Sequence, residues 1–287
     1  MSPYSIPNKI KSLLDLIRFD KPIGSMLLVW PCWFALASLP ISSLDIIKWY
    51  LLLLVGSFLM RSAGCIINDL VDIKLDKKIK RTSKRPLVIK SVTIFEAIIF
   101  LTLLLMLSLL VLIQFNLNAI IISLLSMPLV ILYPYMKRFT HWPQLILGIV
   151  FNWGILIVSM QFIGYLSTSF IVLFIGCIFW TLGYDTIYAY QDKEDDIKNN
   201  IKSTAVLFGN KGKKYVLLFY LIFLIILGYI GFQISGSIAS IFILIIFLIA
   251  MIYFLNKWNL ESRGSSSNYF RLNNLIGLFS FIYLIVF

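Results

Sequence analysis

The sequence predicts an all-α, polytopic membrane protein with nine transmembrane helices. Composition, the length of the apolar runs and the placement of charge lead to this reading. Of the 287 residues, 60% are hydrophobic and 13% charged, and the mean hydropathy is +0.93. A helical span needs about 20 apolar residues. Nine such runs lie near 23–40, 46–68, 91–113, 117–135, 145–163, 168–190, 214–234, 237–255 and 272–287, the last being the shortest. Leu, Ile and Phe dominate them without the period-two alternation of a β-barrel.

Charge sets the expected orientation. If the N-terminus is cytoplasmic, 23 of the 25 Lys and Arg residues fall in the N-terminal segment or in connections on the same side. Lys48 falls on the other side, and Arg61 lies inside the second run. Excess Lys and Arg in short loops marks the cytoplasmic face. The N-terminus and the polar loops after even-numbered spans are therefore expected in the cytoplasm, and the C-terminus outside. The net charge of +12 then suits anionic lipid and phosphate-bearing substrates and requires no nucleic acid.

Residues 1–21 read as an interfacial segment. Ile10, Leu13, Leu14 and Ile17 share one helical face, with Lys9, Lys11, Asp15 and Arg18 elsewhere. They lack the apolar core and small-residue site of a cleavable signal peptide. The second run ends in Asn68-Asp69-Leu70-Val71-Asp72-Ile73-Lys74-Leu75-Asp76. Asn68, Asp72 and Asp76 are four apart and stack on one helical face. The fourth run leads into Tyr133, Lys137 and Arg138, and the sixth into a segment holding Asp185, Tyr188, Asp192 and Asp196. Their spacings of three, four and four predict one helical face again. Spans seven to nine carry little that is diagnostic. No composition break divides residues 1–287, so a single domain is expected.

The acids point to chemistry. Eight of the 13 acidic residues lie in the two segments: Asp69, Asp72, Asp76, Asp185, Asp192, Glu194, Asp195 and Asp196. A carboxylate costs roughly 2.5–3.5 kcal/mol at the bilayer centre, and less near its surface. Neighbouring carboxylates repel unless a cation lies between them. Hard oxygen donors suit Mg²⁺, which completes its shell with water and substrate phosphates. The plain alternative is two solvated helix ends of mixed charge.

The basic residues have two readings each. Lys137 and Arg138 mark topology or bind phosphate; Lys80, Arg81 and Arg85 pose the same choice, with Arg favoured for bidentate contact. Arg61 lies two helical turns before Asn68, about 10 Å deeper. It suits a small carboxylate beyond the phosphates, or a structural ion pair with Asp185. Tyr133, Tyr184, Tyr188 and Trp153 are candidates for a wall of ring faces that stabilises a carbocation. Cys32, Cys65 and Cys177 have no ligand spacing, and His141 is the only histidine, so neither zinc nor a disulfide framework is indicated.

These residues are similar to those of the intramembrane aromatic prenyltransferases, over nearly the whole length. The match runs through Arg18-Phe19-Asp20-Lys21-Pro22-Ile23-Gly24, Arg61 to Asp76, Lys80-Arg81-Thr82 and Arg85-Pro86-Leu87. It continues at Tyr133-Pro134, Lys137-Arg138, Gly183 to Ala189, Asp192 to Asp196, and Ile201-Lys202-Ser203-Thr204. The motifs are N-x3-D-x3-D at Asn68, Asp72 and Asp76, and D-x3-D at Asp192 and Asp196.

The resemblance implies nine helices around a central cavity, capped by cytoplasmic loops, in a bacterial inner membrane. It implies Mg²⁺ held by Asn68, Asp72, Asp76, Asp192 and Asp196. The expected substrates are a polyprenyl diphosphate and 4-hydroxybenzoate, joined at the ring carbon ortho to the hydroxyl. Asp72, Asp76, Asp192, Asp196 and Arg61 are the expected catalytic residues. Asn68, Lys80, Arg81, Lys137, Arg138, Asp185, Tyr188 and Lys202 are the expected substrate-binding ones. Acceptors of the menaquinone or haem O type are the nearest alternative. A cation-coupled transporter would place its acids at midplane in paired broken helices, and the glycine-containing pattern of the CDP-alcohol phosphotransferases is absent.

Overall fold

The computed structural model describes residues 6–40 and 45–287, and among these every regular element is helical. Eight helical segments are long and apolar enough to cross a membrane. The first predicted span is a shorter apolar helix, α2 (Ile23–Ala37), of 15 residues. At 1.5 Å per residue it is about 22 Å long, against about 30 Å of hydrocarbon. The long segments number eight rather than nine for this reason.

Before α2 lies α1 (Ile6–Leu16). Ile10 and Leu14 are exposed as an interfacial helix requires, whereas Leu16 and Ile17 are buried against Leu59, Ala63, Ile66, Leu87 and Val92. Lys9 fastens α1 to α4 (Ile94–Leu112) through Glu96, at 2.5 Å. Glu96 also completes a capping box with Thr93, which fixes where α4 starts.

The second span is longer than its hydropathy suggests. Helix α3 runs unbroken from Ile46 to Asp76, 31 residues, so the whole first acidic motif is helical. The next two spans are broken. Leu117–Phe139 divides into α5 (Leu117–Leu125), α6 (Met127–Leu132), a 3-10 turn at Tyr133–Tyr135 and α7 (Met136–Phe139). Pro128 and Pro134 remove the amide donors that would continue the helix. Pro143–Phe162 divides at Trp153 into α8 (Pro143–Asn152) and α9 (Gly154–Phe162).

Helix α10 (Thr168–Ala189) forms the centre and packs on α2, α8, α9, α13 (Gly212–Ser235) and α15 (Arg263–Val286). Its fully buried Trp180 stacks on Phe223 at 5.5 Å and tilts against Phe34 at 5.7 Å. The ring of Tyr220 lies where a Gly183 side chain would stand, so α10 and α13 approach closely. Two short helices, α11 (Lys193–Lys198) and α12 (Thr204–Phe208), bridge α10 to α13, and α14 (Ile238–Lys257) precedes α15.

The last predicted span, 272–287, starts nine residues earlier in the structure, at Arg263. Its polar first half hides it from a hydropathy reading, and those polar groups are used inside the bundle. Asn273 Oδ1 accepts from Trp180 Nε1 (3.1 Å) and Tyr220 Oη (2.7 Å), and Asn274 Oδ1 accepts from Trp30 Nε1 (2.8 Å).

Candidate active site

A cavity of about 1210 Å³ opens among α2, α3, α4, the broken helices α5–α9, α10 and α15. One end is charged. Asn68, Asp76, Arg81, Arg85 and Lys137 line it, together with Tyr188, Asp192, Asp196 and Lys202. Elsewhere the wall is apolar, with Leu105, Leu109, Leu112 and Phe115 among its side chains. Arg61, Tyr133, Tyr184 and Asp185 line the same space, and Trp153 with them.

Helix α3 delivers the first motif as its spacing predicts, but the carboxylates do not share one environment. Asp76 reaches the cavity and accepts from Arg85 Nη1 at 2.7 Å. Asp72 is fully buried and does not line the cavity. Its Oδ2 accepts from Lys137 Nζ, while Oδ1 has no hydrogen-bond partner and stands 3.7 Å from Arg138 Nη2.

The second motif departs from its predicted geometry. Helix α10 ends at Ala189 and α11 begins at Lys193, so Asp192 sits in the junction (φ −111°, ψ 1°). Asp185 and Tyr188 belong to one helix and Asp196 to another. The i→i+3 bonds from Gln191 N to Tyr188 O and from Asp192 N to Ala189 O make the turn. It aims Asp192 at Arg81, which donates Nε to both carboxylate oxygens (2.9 and 3.0 Å) and Nη2 to one (2.5 Å). Arg81 also donates Nη1 to Tyr188 Oη at 2.8 Å and lies over that ring at 4.9 Å. Burial first, and then the Asp192 charge, push the Asp196 carboxyl up to about 7.

Three loops meet here. Lys202 donates its backbone N–H to Lys137 O and its ammonium to Phe139 O, both at 3.0 Å. Besides Asp72, two basic candidates lie off the cavity. Lys80 is exposed and contributes its backbone N–H to Asp195 Oδ2 at 3.2 Å. Arg138 donates to Val71 O at 3.0 Å and lies over the Tyr135 ring at 5.2 Å. In both, the side chain stays outside the pocket that the spacing suggested.

Arg61 settles its two readings in part. Among the described residues no carboxylate stands within 4.0 Å of it, so the structural ion pair with Asp185 is not formed. Its guanidinium lies over the Phe151 ring at 5.6 Å. On another side a side-chain carbon on Gly24 would stand 2.9 Å from Nε and 3.2 Å from Nη2. The absence of a side chain on Gly24 thus makes room for the guanidinium.

Sequence reasoning assigned no role to Asp69 or Arg18. Asp69 is 1% exposed and accepts from Arg18 Nη2 at 2.5 Å and Arg85 Nη1 at 2.9 Å. One signal was present: Asp69 and Asp76 are seven apart, two helical turns, and so able to share a partner.

Fold and site together define a class: a helical membrane protein with a cavity that is charged at one end and apolar elsewhere. The chain belongs to the UbiA prenyltransferase family, which it matches over residues 28–276. It is 36% identical to the 4-hydroxybenzoate octaprenyltransferase of Tolumonas auensis over 282 residues, 96% of either chain. It is 47% identical to the mitochondrial 4-hydroxybenzoate polyprenyltransferase of Caenorhabditis elegans over 214 residues, 74% of this chain and 60% of that one. The similar Dictyostelium discoideum protein is matched over 45% of its length, at 44% identity and across 72% of this chain. Two solved UbiA homologues share the fold. That of Aeropyrum pernix superposes with a TM-score of 0.70 at 22% identity, covering 93% of this chain and 98% of its own. That of Archaeoglobus fulgidus, bound to GPP and Mg²⁺, gives 0.70 at 20%, covering 96% and 100%.

Proposed function

We propose that the protein transfers a polyprenyl group from polyprenyl diphosphate to 4-hydroxybenzoate, at the ring carbon ortho to the hydroxyl, releasing diphosphate for ubiquinone biosynthesis. The observation that carries this reading is a single cavity with acids and bases at one end, apolar walls, and Arg61 with no carboxylate within 4.0 Å among the described residues. The names of the relatives at 36–47% identity favour this acceptor over those of the menaquinone or haem O type. A transporter is disfavoured because the acids gather at one end of the cavity.

The donor set suits Mg²⁺. Asn68, Asp72, Asp76, Asp192 and Asp196 offer hard oxygen atoms, though among the described residues no three carboxylates stand close enough to hold an ion as they are. Asp72 Oδ1 lacks a hydrogen-bond donor, and burial together with the Asp192 charge raises the Asp196 carboxyl, an unfavourable environment that a bound cation would relieve. When bound, Mg²⁺ would neutralise the diphosphate and favour its departure.

The chain's own residues do the rest. Arg81, Arg85, Lys137 and Lys202 hold the diphosphate by charge-assisted bonds. The C–O bond to the prenyl group breaks, and the faces of Tyr133, Tyr184 and Tyr188 stabilise the allylic cation. Apolar walls keep water away from it. The ring carbon attacks, a C–C bond forms, and the ring loses its proton. Arg61 orients the acceptor through its carboxylate. Residues 1–287 act as one catalytic unit in a bacterial inner membrane, with the charged end of the cavity toward the cytoplasm.

Membranes given radiolabelled 4-hydroxybenzoate, a polyprenyl diphosphate and Mg²⁺ should yield label extractable into lipid solvent. EDTA should abolish it and added Mg²⁺ restore it; full activity in EDTA would sink the metal assignment. Orientation has its own test, since Cys32, Cys65 and Cys177 are buried and give little background. Lys78→Cys should resist an impermeant thiol reagent in intact cells and react after lysis; labelling in intact cells would reverse the topology.

Gly24→Ala should push the Arg61 guanidinium aside by a few tenths of an ångström or more. A misplacement of about 1 Å costs on the order of 100-fold, so a roughly tenfold loss of kcat/KM for the acceptor is expected, with the KM for the prenyl diphosphate unchanged. Steady-state kinetics with each substrate varied decides it.

A further inference from the structure

We propose that Asp69 is not a metal ligand but tunes the metal site, by holding Arg85 in place between two carboxylates with the help of Arg18. This rests on the assignment of a divalent cation to the two acidic motifs. Asp69 lies beside Asn68 in the first acidic segment. It shares with Asp72 its burial, its place off the cavity and one unpartnered oxygen, here Oδ2, but two guanidinium groups hold it where an ammonium holds Asp72. One of its oxygens, Oδ1, accepts from both Arg18 Nη2 (2.5 Å) and Arg85 Nη1 (2.9 Å). The same Arg85 nitrogen donates to Asp76 Oδ2 at 2.7 Å.

Arg18 is built into this position. It has a left-handed backbone (φ 57°), which an L residue other than Gly rarely adopts. That turn ends the interfacial helix, and Arg18 Nη1 donates to Leu16 O at 2.5 Å. The row Arg18–Asp69–Arg85–Asp76 therefore alternates in sign from the membrane-surface helix to the first motif. Its balance sets how strongly Arg85 competes with a cation for Asp76.

The two ends of the row act in opposite directions. Without the Asp69 charge, Arg85 moves wholly to Asp76 and opposes the cation. Without Arg18, the buried Asp69 draws Arg85 toward itself and releases Asp76. Removing one unit charge near a partly buried site changes cation affinity on the order of tenfold.

The test is Mn²⁺ titration of the purified, donor-free protein in detergent, read by electron paramagnetic resonance. Asp69→Asn should weaken Mn²⁺ binding about tenfold, Arg18→Gln should tighten it, and the double variant should return near wild type. Failure of the double variant to recover, with loss as complete as in Asp72→Asn, would make Asp69 a ligand and overturn the proposal. Wild-type affinity in both single variants would overturn it as well. If Asp69→Asn does not fold, Arg18→Gln alone decides, since unchanged or weaker binding there contradicts the mechanism. A wild-type protein that binds no Mn²⁺ instead refutes the metal assignment itself.

Discussion

Asp72→Asn and Asp192→Asn are each expected to lower kcat on the order of 100- to 1000-fold, the scale seen when one group that stabilises developing charge is removed. The two sites reach that outcome differently. Asp72 is fully buried behind Lys137. On the proposed assignment its loss removes a metal ligand and frees the Lys137 ammonium, so affinity for the diphosphate need not fall with turnover. Asp192 is held by three bonds from Arg81. Its loss frees a guanidinium that also touches Tyr188, so both metal affinity and the cation-facing wall change. Excess Mg²⁺ should restore part of the activity of each variant. Wild-type turnover at limiting Mg²⁺ in either variant would remove that residue from the site. Size-exclusion profiles in detergent separate this from misfolding.

The second large effect is expected at Arg61. Truncating one member of a buried, hydrogen-bonded charge pair costs roughly 2–5 kcal/mol, of which 2 kcal/mol is about 30-fold. Arg61→Ala should therefore raise the KM for 4-hydroxybenzoate at least about 30-fold, with a much smaller change for the prenyl diphosphate. Arg61→Lys restores charge but not the planar fork, and should recover only part of the loss. The structure strengthens this expectation, because the competing ion pair with Asp185 is not formed and the guanidinium lies against Phe151 and Gly24. A loss confined to the prenyl diphosphate would make Arg61 a phosphate ligand.

Sequence alone was sufficient for the membrane class and, within a few residues, for most of the spans, because burial in lipid demands long apolar helices whatever the rest of the chain does. It was sufficient too for the helix that carries the first motif, but not for its surroundings, since Asn68 and Asp76 line the cavity and Asp72 does not. Where a local rule met a tertiary demand, the rule failed. Asp192 left the helix of Asp185, because the chain turns at Tyr190–Asp192 to carry Asp196 and Lys202 over the cavity. The start of α15 was hidden because polar residues there are used inside the bundle, where hydropathy counts them as solvated; Ser266 is buried and accepts from Trp258 Nε1 at 3.0 Å.

Which base meets which acid was decided by tertiary structure only. Arg18 and Asp69 are 51 residues apart, Lys137 and Asp72 are 65 apart, and Arg81 and Asp192 are 111 apart. Spacing along a helix constrains neighbours within a turn or two. Partners from different helices are chosen by packing, which sets two cations on Asp69 and on Asp72 but one on Asp76 and one on Asp192, and, among the described residues, no carboxylate within 4.0 Å of Arg61.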